Sequence, residues 1–199
     1  MKLILVLLLS FPIYSLAQSN YQKAVDAQNE LNSEFADKEK TPLTKKDFKK
    51  FKELPFFPID TQYAVVAMLE FTPEDTVFKM KTTTDRLPEY RRAAIATFKI
   101  NGVEYKLNLY KSLRLQGIEK YKNYYFLPYK DKTCGSESYG GGRFLDFDIE
   151  NQVDEILIDF NMSYNPLCAY NEKYSCPIVP SENYIDVEVK AGVKAPANH

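Results

Sequence analysis

Asn101-Gly102 stands between two runs of alternating side chains, and no other feature of the chain restricts its fold as much. Asparagine followed by glycine supplies the two positive-φ residues of a type I′ turn, whose twist matches that of paired strands. Beyond the turn Val103, Tyr105, Leu107 and Leu109 alternate with Glu104, Lys106, Asn108 and Tyr110; before it Ala94, Ala96, Phe98 and Ile100 alternate with Ile95, Thr97 and Lys99. A period of two sends successive side chains to opposite sheet faces, so one face of this hairpin is core and the other largely wet.

The same texture runs from residue 60 onward, where β-branched and aromatic runs bounded by Pro, Gly, Asn and Asp predict strands at 63–71, 76–82, 124–129, 143–149, 155–160 and 184–189, eight with the hairpin. Upstream the period is near 3.6. Tyr21, Val25, Leu31 and Phe35 mark an amphipathic helix, Thr41-Pro42-Leu43 breaks it, and Thr44 with Asp47 reads as a capping-box start of a short second helix through Glu53. Pro55 and Pro58 end helical structure. With no βαβ alternation, the expected class is mainly β (α+β): an antiparallel β barrel or sandwich with an N-terminal helical arm.

Ahead of the arm, Lys2 precedes the apolar run Leu3 to Leu9, and Ser15 and Ala17 occupy the small-residue positions of a cleavage site. Residues 1–17 are therefore read as a signal peptide, with Gln18 first in the mature chain and a periplasmic or secreted destination. The apolar run is shorter than the roughly 20 residues that span a bilayer, so no transmembrane anchor is expected after cleavage. The organisation expected is a helical arm at 18–54, a β domain at 55–192 and a flexible tail at 193–199.

Charge and residue content exclude several chemistries. Loss of Lys2 with the leader takes the net charge from -1 to -2, and the densest basic cluster, Lys45, Lys46, Lys49, Lys50 and Lys52, is read as a solvated helix face, so no nucleic-acid partner is expected. The only histidine is His199, the last residue, which excludes Ser-His-Asp and Cys-His catalysis and the usual zinc enzymes. Asp146, Asp148 and Glu150 have the look of a calcium loop, but Asn151 replaces its glycine and Leu157 its bidentate glutamate. No metal and no cofactor is expected.

Two regions are dense in unusual residues. Residues 131–143 hold four of the seven glycines together with Thr133, Ser138, Tyr139 and Arg143. They read either as a loop of positive-φ glycines or as an anion-binding nest with Arg143 supplying charge and a bidentate fork. Between 159 and 183, Asp159, Asn161, Tyr164, Asn165, Glu182 and Asn183 form either a polar pocket wall or, for Asn161 and Asn165, simple Asx turns. Of the three cysteines, Cys168 and Cys176 lie eight apart in a loop containing Asn171 and ending at Pro177, and a disulfide between them is expected.

These regions resemble the bacterial domain-of-unknown-function family numbered 1684. Asp131, Thr133, Gly135, Ser138, Tyr139, Gly142, Arg143, Phe144 and Leu145 match one of its stretches. Asp159, Phe160, Asn161, Tyr164, Asn165, Pro166, Cys168 and Ala169, then Cys176, Pro177, Pro180, Glu182 and Asn183, match two more. The likeness runs from about Leu54 to Gly192; Cys134 stands where the family usually has no cysteine, so it has no dedicated partner. The resemblance implies an exported bacterial protein and brings no established activity. The functional expectation is a cell-envelope domain binding a small polar or anionic ligand. Its alternatives are a histidine-free hydrolase or transferase using a cysteine or a carboxylate such as Asp159 or Glu182, and an envelope protein-interaction module.

Overall fold

The fold is described from a computed structural model, which covers residues 11–72, 75–150 and 153–196. The Asn101-Gly102 turn forms as expected, with φ of 51° and 80° and Ile100 facing Val103. It joins β3 (Glu89–Ile100) to β4 (Val103–Ser112). The other strands are β1 (Ala64–Phe71), β2 (Phe78–Lys79), β5 (Tyr124–Tyr129), β6 (Arg143–Asp148) and β7 (Glu155–Asp159). They form one antiparallel sheet in the order β6-β5-β4-β3-β1-β7, with β2 added beside β3, and the sheet curls into a half-barrel. The mainly β class with an N-terminal helix is thus the class found.

One face of the hairpin carries the main core, where Phe98, Leu107, Leu109, Leu127, Ile158 and Phe160 pack together. The opposite face is wet only near the turn, where Glu104 and Lys106 are exposed. Farther along, Asn108 and Tyr110 are buried, and Tyr110 joins Met80, Phe126, Phe144 and Val179 in a second apolar cluster. Alternation assigns residues to faces but says nothing of the segments that later fold over a face.

Two expected strands are not formed in full. Of 76–82 only Phe78 and Lys79 form a strand and Thr82 makes an isolated bridge to Pro177, because the Thr82 hydroxyl donates to the carbonyls of Arg86 and Thr84 and turns the chain. Residues 184–189 make a single bridge, Lys130 to Tyr184, yet Ile185 and Val189 are buried in the core. The backbone there is held by the 130–132 segment and by side chains rather than by a ladder.

The helical arm is α1 (Phe11–Ala36) and α2 (Lys45–Phe48). The expected Thr44 cap is present, its hydroxyl accepting from the Asp47 N–H at 3.2 Å, but α2 ends four residues later rather than at Glu53. Residues 1–10 of the expected signal peptide lie outside the described residues, and α1 runs through its remaining part. The C-terminal stretch is not a tail up to Pro196: Val193 is 0% exposed, Lys194 N–H donates to Pro55, and Ala195 N–H donates to Glu137. His199 lies outside the described residues.

Candidate functional site

The glycine-rich loop closes on itself. The N–H groups of Ser136, Glu137 and Ser138 all donate to the Thr133 carbonyl at 3.0–3.1 Å, which leaves these backbone donors unavailable to an anion. The Arg143 side chain is 0% exposed and pairs with Asp131, itself 2% exposed, at 3.1 Å. Arg143 also donates to the carbonyls of Val189 and Ala191, and its guanidinium lies between the rings of Tyr129 and Phe57. Asp131 completes the knot by accepting from the Val189 N–H at 2.7 Å and from the hydroxyl of Thr133, which also bonds Ser138 at 2.8 Å. Arg143 is therefore a buried tie between β6 and the C-terminal segment; the anion-binding reading of this loop is corrected. Gly142 is required by geometry, since at φ +92° a Cβ would stand 2.6 Å from the Tyr129 carbonyl.

The second region is also mostly a set of ties. Asn183 accepts from the Asn108 N–H at 3.0 Å and donates to the carbonyls of Asn108 and Pro128 at 2.9 and 2.6 Å. Strands β4 and β5 pair directly at Tyr110 and Phe126, and beyond that point the Asn183 amide bridges them. Asn161 does the same for Asp60, accepting from its N–H and donating to its carbonyl, while Asn165 donates to the Lys194 carbonyl. A carboxamide carries the donor and acceptor of a peptide group, so Asn183 and Asn161 each stand in for a missing backbone partner, whereas Asn165 uses only its donor. Asp159 supplies the Asx-type turn, accepting from the Asn161 N–H; burial raises its pKa and these hydrogen bonds oppose the rise. Glu182 is exposed and accepts from the Tyr110 hydroxyl at 3.3 Å.

Among these candidates Tyr164 lines a groove. Its backbone pairs with Phe144 of β6, which brings the two dense regions together, and its hydroxyl donates to Asp146 Oδ2 at 2.6 Å. The Tyr124 hydroxyl donates to Asp146 Oδ1 at 2.7 Å. Asp146 borders a groove of about 400 Å³ lined also by Glu30, Leu31 and Glu34 of α1 and by Lys40. The carboxylate reaches solvent, yet the protein around the groove withdraws enough water to raise its pKa above the ordinary 3.8 against the two tyrosine hydrogen bonds. The same desolvation, reinforced by the nearby Asp146 charge, raises both tyrosines. Strand alternation places Asp146 on the face opposite Leu145 and Phe147, which reads as a solvated position, and no local signal foretells its convergence with Tyr124, Tyr164 and α1.

The family model described as a protein of unknown function, DUF1684, matches residues 49–194, most of the chain. The chain belongs to the DUF1684 family. Its fold is similar to the solution NMR structure of an uncharacterized protein from gene locus rrnAC0354 of Haloarcula marismortui, with a TM-score of 0.70 and 26% identity over 92% of this chain and 98% of that one. No curated protein matches the chain.

Within this DUF1684 chain the motif residues thus divide by role: Asp131, Thr133, Ser138, Arg143, Asn161 and Asn183 are buried supports, and Tyr164 faces the groove. Tyr139 is half-buried and its hydroxyl bonds Cys168. All three cysteines are free thiols, so the expected Cys168–Cys176 bridge is not formed, although the Cys168 N–H donates to Cys176 Sγ at 3.2 Å.

Proposed function

We propose that the protein is an exported binding domain whose small polar ligand lies in the groove between α1 and the sheet, with Asp146 as its anchor. The observation that carries this reading is an accessible carboxylate in the groove's wall, held by two tyrosine hydroxyls and paired with no cation among the described residues. Each carboxylate oxygen retains a lone pair for a further donor. Three carboxylates, Glu30, Glu34 and Asp146, face a single Lys40, so the ligand favoured is one bearing an ammonium or several hydroxyl donors rather than an anion. A ligand of this kind stabilises the wild type in a thermal-shift panel, and the shift disappears in Asp146→Asn. An unchanged shift in that variant refutes the site. The affinity has a pH dependence of defined sign: it weakens as pH falls through the raised pKa of Asp146, because the protonated carboxyl no longer attracts a cation.

A second reading rests on the same raised pKa. A pocket carboxylate without a bound cation is suited to general-base work, and Asp146 rather than Asp159 or Glu182 holds that position. Ester or glycoside turnover that requires Asp146 supports the hydrolase; binding without turnover supports the module.

Export is supported by the leader's pattern of Lys2, apolar run and small residues before Gln18. The groove-lining part of α1 begins at Ala27, beyond the expected cleavage point, and is retained in the mature chain. Protein recovered from a producing cell's envelope or medium begins at Gln18 on N-terminal sequencing; an uncut Met1 there refutes the leader.

A further inference from the structure

We propose that Cys168 and Cys176 are a reversible dithiol–disulfide pair in which Cys168 is the attacking thiolate and Cys176 the resolving thiol. The chain is folded to bring them together. Residues 167–169 form a single 3-10 turn, the Asn171 side chain donates to the Pro42 carbonyl, and the Tyr174 N–H returns to the Asn171 carbonyl. Cys176 is then clamped to Thr83, its N–H donating to the hydroxyl at 3.1 Å and its carbonyl accepting from the Thr83 N–H at 2.9 Å. At the end of this turn the Cys168 N–H reaches Cys176 Sγ at 3.2 Å, which sets the two cysteines side by side.

The two sulfurs are not equivalent. Hydrogen bonding by Cys176 and Tyr139 acts on the Cys168 sulfur, while the Thr83 hydroxyl donates to the Tyr174 carbonyl. Donors converging on a sulfur favour its thiolate, and here they bring the Cys168 thiol down to about 6, the Cys176 contact contributing most. That contact, together with burial, pushes the Cys176 thiol up. Access divides the pair in the same sense: Cys176 is 6% exposed, whereas Cys168 is half-buried and lines a groove of about 350 Å³ between the 43–47 segment and residues 168–172. Cys134 is an internal contrast, its sulfur bonded to Asp131 and Ser138 and its thiol raised by burial.

The chemistry follows from this asymmetry. The Cys168 thiolate attacks one sulfur of a small-molecule disulfide; the S–S bond breaks, one thiolate leaves, and a mixed disulfide remains on Cys168. With the Cys168 thiolate consumed, the largest influence holding Cys176 protonated is removed. Cys176 then loses its proton to solvent, attacks the Cys168 sulfur and expels the second thiolate. The two cysteines are oxidised to one disulfide, and the small disulfide is reduced to two thiols, one taking up the proton that Cys176 released and the other a proton from solvent.

The test uses the reduced full-length mature chain. At pH 7, limiting iodoacetamide with peptide mapping labels Cys168 at least about tenfold faster than Cys134, as expected when one sulfur is largely thiolate and the other is not. Oxidised glutathione converts the chain to the Cys168–Cys176 bridge, and dithiothreitol under native conditions restores both thiols. In Cys176→Ser the reaction halts at a glutathione adduct on Cys168. Equal labelling of Cys168 and Cys134 in the wild type overturns the assignment of the nucleophile, as does an adduct forming on Cys134 instead. A bridge that native dithiothreitol does not open overturns the reversibility and makes the pair a permanent staple.

Discussion

Arg143→Met leaves the protein unfolded or barely folded at room temperature, with a loss of about 3–5 kcal/mol expected from breaking a buried ion pair on one side only. Natural domains are stable by only about 5–15 kcal/mol, so the loss is a large share of the whole. The damage comes less from the missing attraction than from what stays behind. Asp131, 2% exposed, is left with the Val189 N–H, the Thr133 hydroxyl and the weak Cys134 thiol as donors and no cation partner among the described residues, and the carbonyls of Val189 and Ala191 lose theirs. Arg143→Lys fails almost as badly, because one ammonium does not reproduce the planar fork that reaches a carboxylate and two carbonyls at once. The decisive comparison is the double variant Arg143→Met with Asp131→Asn, which recovers part of the loss by neutralising the stranded charge. Urea unfolding of the three proteins measures it, and a double variant less stable than Arg143→Met sinks the explanation.

Asn183→Ala costs about 3 kcal/mol or more, since three buried backbone groups lose their partners at roughly 1 kcal/mol or above each. Asn183 is 0% exposed and sits where β4 and β5 have ceased to pair, tied to Asn108 and Pro128. In a domain of this size the melting temperature falls by about 6–12 °C. Asn183→Asp is at least as harmful despite its equal size, because a carboxylate oxygen replaces the amide that donates to two carbonyls. Packing alone predicts that Asp is tolerated, so a scanning-calorimetry trace of Asn183→Asp matching wild type removes the amide from the account.

How far the site was legible depended on whether its signal was local. The loop at 131–143 announced itself through its glycines, and Gly135 and Gly142 do adopt positive φ. Its Arg143 looked like a ligand fork because sequence displays charge and not burial; 46 residues downstream Val189 supplies the carbonyl that claims it. In the sequence Asn161 and Asn165 fit a polar pocket wall and a pair of local Asx turns equally well, because asparagine so often bonds its own backbone. Asn161 bonds Asp60, 101 positions away, and Asn165 bonds Lys194. Asp146 was visible as one of two alternating aspartates, but its groove needs α1, β5, β6 and the segment carrying Tyr164 at once.

The sequence by itself determined the elements whose causes are contained within a few residues. The Asn101-Gly102 turn, the register it imposes from Ile100 and Val103 outward, the Thr44 cap and the alternating core of β3 and β4 all follow from dihedral preference and period. The tertiary structure alone decided which polar groups were withdrawn from solvent and which remained available. Burying a polar group is tolerated only when it finds a partner, and here the partners of Arg143, Asn161 and Asn183 come from chain segments tens of residues away. Those ties consumed most of the side chains that resembled a binding site, and left Asp146, which resembled an ordinary surface residue, facing the groove.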